Sequence, residues 1–136
     1  MGLLWSNSLD GTRLAMASGP EGPIEIRSLG GGPRQVIRPN GVTKMRDLLW
    51  AADGKGLFVG NFISGAREIL YMDLHGDTTV LWKCKTDRCY EVPSPDGRHL
   101  AIYDWRLSTN MWMMENFRPP QQYLWVHGGS GRRPRV

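Results

Sequence analysis

Long apolar runs are missing from this chain of 136 residues. No stretch of about 18 consecutive apolar residues occurs, and no basic segment followed by an apolar one opens the sequence as a secretory signal would. Membrane insertion is therefore not expected, and the compartment is left open by the sequence, with a lean to the cytoplasm. Cysteine is scarce: Cys84 and Cys89 stand alone in KCKTDRC. Zinc knuckles use a two-residue spacing and a second ligand pair that neither cysteine nor histidine supplies, so no metal site is expected. Free thiols in a loop are the first expectation. A local disulfide, which requires an oxidising compartment, is the second.

Catalytic signatures are missing as well. There is no G-x-x-x-x-G-K-[ST], and Gly30-Gly31-Gly32 runs into Pro33 with no helix pattern after it, so it reads as a turn and not as a phosphate loop. Neither H-R-D nor D-F-G is present, and Ser130 lacks the second glycine of a G-x-S-x-G elbow. His75, His99 and His127 fall at turns or in the tail and read as solvated. No cofactor is expected and the chain is not expected to be an enzyme, so a kinase or peptidase domain, if any, lies outside it. The net charge of +4 does not imply nucleic acid, because Arg132, Arg133 and Arg135 supply three of those charges within the last five residues.

What is present is repetition. An Asp-Gly pair occurs at Asp10-Gly11, Asp53-Gly54 and Asp96-Gly97, a constant interval of 43 residues. A fixed period of that size marks stacked supersecondary units. Between Leu48 and Trp82, short apolar runs alternate with turn residues: LLW, Asp-Gly, LFV, Ser-Gly, ILYM, His-Gly-Asp, VLW. Four strands joined by three hairpins follow, with glycine supplying the positive φ that such turns need. Ile69 to Met72 is apolar at every position, so both faces of the sheet should be covered. The fold class expected is all-β: a β-propeller segment of three four-stranded antiparallel blades, forming an incomplete ring. The blades span about 3–37, 47–82 and 90–126, within a unit at 1–126, and 127–136 reads as a flexible basic tail. In this alignment Trp5 shares a column with Trp50, and the two extra residues before Asp10 predict a longer loop or a bulge.

The segments WAADGKGLFV, PSPDGRHLAIY and WSNSLDGTRLAMAS resemble the WD40-like (PD40-like) repeats of TolB-type propellers. The resemblance covers about residues 3–126. It is greatest to the C-terminal blades of propellers attached to bacterial serine/threonine kinases or winged-helix regulators. It implies a module for protein interaction or ligand sensing within a larger bacterial regulatory or signalling protein. The alternative is the gating propeller of a prolyl oligopeptidase-like serine peptidase, since YLWVHGG at 123–129 resembles the strand and His-Gly-Gly segment that opens the hydrolase domain there.

In a propeller, the connectors from outer to next inner strand and from second to third strand share one face. Here those connectors carry Arg38, Lys44, Arg46, Arg67, Lys83, Lys85, Arg88 and Arg106 against Glu21, Asp47, Asp87, Glu91 and Asp104. The basic lean makes these eight cations the candidate binding residues for an acidic protein or peptide. Three blades leave two open apolar faces, so the chain is expected either to belong to a longer propeller or to pair with a second copy into a six-bladed ring.

Overall fold

The computed structural model describes residues 2–106. All ten elements among them are strands. The first sheet is a meander of β1 (Leu4–Asn7), β2 (Arg13–Ala17), β3 (Ile24–Ser28) and β4 (Gln35–Ile37). The second repeats that order with β5 (Met45–Trp50), β6 (Gly56–Ile63), β7 (Ala66–Asp73) and β8 (Thr78–Lys83). A third begins with the antiparallel pair β9 (Cys89–Pro93) and β10 (Leu100–Asp104). The third sheet's remaining strands expected near 112–114 and 123–125, and the tail 127–136, lie outside the described residues.

The sheets stack face to face. Side chains alternate across a strand, so Leu57, Val59, Leu70 and Met72 of the second sheet meet Ala15, Ala17, Ile24 and Ile26 of the first in one buried cluster. The intervening Ile69 points the other way and packs with Cys84, Cys89, Leu100 and Ile102 against the third sheet. Strand β1 lies beside β5, and β9 beside β6 and β7. The all-apolar run at β7 is thereby explained, because its two faces serve two different cores.

The Asp-Gly turns share one construction. Gly11 N–H donates to Ser8 O, Gly54 N–H to Ala51 O and Gly97 N–H to Ser94 O at 2.9–3.0 Å. The glycines take φ of 71°, 67° and 71°. Each aspartate stays at negative φ and accepts the backbone N–H two residues on: Thr12 at 3.0 Å, Lys55 at 2.9 Å and Arg98 at 3.0 Å. These are Asx turns inside wider loops. Both-positive φ occurs instead at Ser64-Gly65, 50° and 83°, where β6 turns directly into β7.

Two alignments made from the sequence change. The identical turn bonds leave no longer loop before Asp10, so Asn7 stands where Trp50 stands and Trp5 stands where Leu48 does. Trp50 is 5% exposed between the first two sheets, with Nε1 donating to Ser6 O at 3.0 Å, whereas Trp5 is 60% exposed on the far face of the first sheet. Irregularities sit elsewhere, in β5, where the register shifts between Met45 and Asp47 and leaves Arg46 as the extra residue, and in the β7–β8 pair, where it shifts between Ile69 and Leu70. The cysteines follow the second expectation and not the first. Cys84 and Cys89 form a disulfide. The backbone of Arg67 accepts from Cys84 N–H at 2.8 Å and donates to Thr86 O at 3.1 Å, which folds the connector back and leaves the two Cα atoms 6.1 Å apart, within bridging reach.

Candidate functional site

In an antiparallel meander the connectors alternate between two edges. Residues 18–23, 38–44, 64–65 and 84–88 consequently share one edge, which carries most of the candidate cations. Two side chains fix its long connectors. Asn61 is fully buried at the end of β6, and its Oδ1 accepts from Thr43 N–H at 2.9 Å and Lys44 N–H at 3.1 Å. Asp104 does the same at the end of β10, accepting from Lys85 N–H at 3.3 Å and Thr86 Oγ1 at 3.1 Å. Both anchors stand eight residues after the aspartate of their own turn. That register is the signal that could have singled them out.

The candidate cations form two groups, two separate exposed residues and one withdrawn residue. Lys44 and Arg46 flank the Phe62 ring, with Nζ 5.9 Å and Cζ 4.8 Å from its centroid. Lys83, Lys85 and Arg88 surround the disulfide connector; Lys83 Nζ lies 3.7 Å from Glu68 Oε1 and Arg88 Cζ 5.1 Å from the Trp105 ring. Arg106 is exposed at the end of the described residues, and Arg38 is exposed beside a shallow hollow lined by Pro20, Glu21 and Pro23. Arg67 is different. Its side chain is 7% exposed, ion-paired with Asp47, donates from Nη1 to Cys89 O at 2.7 Å, and is covered by the Tyr90 ring at 4.7 Å. It holds the second and third sheets together and is not presented to a ligand.

Glu91 completes that buried group. It is 3% exposed, and among the described residues neither of its carboxyl oxygens has a hydrogen-bond donor, nor does Asp47 Oδ1. Burial, with the neighbouring Asp47 carboxylate next in effect, raises Glu91 from 4.5 to about 8. A proton held between the two carboxyls is then the partner both lack. The site needs a glycine too, since a Cβ at Gly60 would collide with the Asp47 carboxylate. Glu91, counted from the sequence among the surface acids, is thus a neutral buried acid at neutral pH, and the exposed basic lean of the edge is greater than the sequence suggests.

The three turn aspartates at the opposite edge differ in how firmly they are held. Hydrogen bonds from Ser8 Oγ, Thr12 N–H and Thr12 Oγ1 lower Asp10 to about 2. Ser94 Oγ and the N–H of Arg98 lower Asp96. Among the described residues no group of three or more His, Cys, Asp or Glu side chains could hold a metal ion. No helix among them is long and apolar enough to cross a membrane. No protein-family model and no curated protein matches the chain.

Proposed function

We propose that this chain is a β-propeller segment whose connector edge binds an acidic protein or peptide, without catalysis of its own, as part of a larger regulatory protein. The observation that carries this reading is the stacking of two meanders of identical strand order with their first strands side by side, and a third antiparallel pair packed on the other face of the second sheet against β6 and β7. Connectors anchored by buried Asn61 and by Asp104 give half-buried Lys44 and exposed Arg46, Lys85 and Arg88 a fixed spacing, which limits the conformational entropy lost on binding. A bond between Cys84 and Cys89 supports an oxidising compartment over the cytoplasm for this module.

A fluorescein-labelled glutamate decamer is the probe. Its anisotropy is expected to rise saturably with protein, less so as salt increases, and the joint change Lys44→Glu and Arg46→Glu should weaken binding about fivefold or more. Binding that is absent at low salt, or indifferent to both reversals, would remove the acidic-partner reading. Ring closure is tested separately. Trp5, Leu14 and Met16 on the outward face of the first sheet occupy positions whose counterparts Leu48, Leu57 and Val59 are buried. Light scattering should find a dimer if two copies complete a six-bladed ring and aggregation if a longer chain supplies the missing blades; a stable monomer at micromolar concentration contradicts both.

A further inference from the structure

Where the first two sheets meet, at the edge of the Asp-Gly turns, an arginine closes the junction. Arg13 leaves β2 three residues after Asp10, stacks its guanidinium 4.4 Å from the Trp50 ring, and donates from Nη2 to Gly54 O at 2.7 Å. Trp50 fills the rest of that junction.

The same two positions change character between the second and third sheets. Three residues after Asp53 stands Gly56, and three residues before Asp96 stands Pro93 where Trp50 would be. Gly56 cannot carry a longer side chain here, since a Cβ would collide with the Tyr71 hydroxyl and Met72 O. The junction is consequently an open cleft of about 400 Å³. Gly97, the counterpart of Gly54, lines it, with the same turn bond and φ of 71°. Two aromatic rings form its other wall, Phe58 and Tyr71, packed edge to face at 5.8 Å.

The cleft favours a positive charge. Asp53 and Asp96 line it. Asp96 is engaged by Arg98 Nε at 3.1 Å, while Asp53 forms no ion pair among the described residues. Burial raises the Tyr71 phenol, and the charges of Asp53 and then Asp73 add to that, so the field at this hydroxyl is negative. Aromatic faces and a carboxylate together recognise a guanidinium.

We propose that this cleft binds an arginine side chain of a partner peptide, in the way the preceding junction binds Arg13 from within the chain. The guanidinium stacks on the Phe58–Tyr71 wall, donates to Gly97 O and is neutralised by Asp53. This site lies on the edge opposite the basic connectors and takes a ligand of opposite charge, so its failure leaves the acidic-partner reading untouched.

The test is a titration of the intact isotope-labelled protein with acetyl-arginine-methylamide, read from amide shifts of Ala52, Gly56 and Gly97. Acetyl-citrulline-methylamide, of the same shape without the charge, serves as the comparison, and acetyl-lysine-methylamide separates a guanidinium from any cation. Saturable shifts confined to these residues are expected, tightest for arginine. Asp53→Asn keeps an oxygen for the Lys55 N–H and should weaken arginine about twofold to fivefold while leaving citrulline unchanged. Equal affinity for arginine and citrulline, lysine binding as tightly as arginine, or shifts elsewhere only, would overturn the proposal.

Discussion

Glutamine in place of Glu91 should change how stability depends on pH. In the folded chain Glu91 titrates near 8, against 4.5 for an ordinary glutamate, because it is buried beside Asp47. Below about pH 4.5 the carboxyl is protonated whether the chain is folded or not, and its contribution is constant. As pH rises from there to about 8, the unfolded chain releases the proton and the folded chain keeps it, so the native state loses up to about 1.4 kcal/mol per pH unit. Over the whole window the ceiling is about 5 kcal/mol, reduced by the Arg67 guanidinium, which favours the ionised form. Glutamine cannot ionise, yet its amide can donate to Asp47 as the acid's O–H does. Urea melts of both proteins between about pH 5 and pH 8 should show wild type declining against Glu91→Gln, with the gap widening toward the alkaline end. The lowered Asp10, Asp73 and Asp96 act at lower pH and cancel in the comparison. Parallel profiles across that range would show that Glu91 is ionised in the folded chain and refute the shared proton.

Three further substitutions test the packing. Gly11→Ala meets open space and should cost only the left-handed backbone penalty of about 1–2 kcal/mol, whereas Gly54→Ala also strikes the Arg13 guanidinium and should cost about 1 kcal/mol more in chemical denaturation. Equal losses would mean that Arg13 does not seal the junction. Trp50→Ala should cost about 3–5 kcal/mol, as for a buried aromatic whose N–H is also bonded, and a change in melting temperature within error would contradict its placement. Replacing Cys84 and Cys89 together by serine should cost about 2 kcal/mol by the chain-entropy estimate for so short a loop, and reducing agent should do the same to wild type but nothing to the variant.

The all-β class was legible because its signals are local. Asp-Gly, Ser-Gly and His-Gly-Asp punctuate runs whose side chains need only two faces, and glycine is what the positive φ at 11, 54 and 97 requires. Column assignment was less legible. Trp5 and Trp50 look alike in sequence, yet counting from the turn puts Trp5 two residues earlier, in the column of Leu48; a shift of two keeps the face, and Trp5 is exposed because no sheet among the described residues packs on that side. The basic connectors could be found from charge alone. The withdrawal of Arg67 could not, because an arginine bound to a buried carboxylate and one facing water have the same sequence signature. The cysteine bridge was legible only as an alternative to free thiols, because its closure depends on the Arg67 backbone folding the connector back.

The second sheet is the only one of the two complete sheets with neighbours on both faces among the described residues, and β6 and β7 are its longest strands. In the isolated chain, opening the first sheet breaks only one interface among the described residues and a three-residue outer strand, β4. Amide protons should therefore exchange with solvent in a hierarchy, earliest along β4 and β3 and last at Leu57, Val59, Leu70 and Met72. A chain built this way comes apart like stacked plates from its exposed end, so a protease attacking partly opened molecules would cut ahead of Met45 while the central sheet still held.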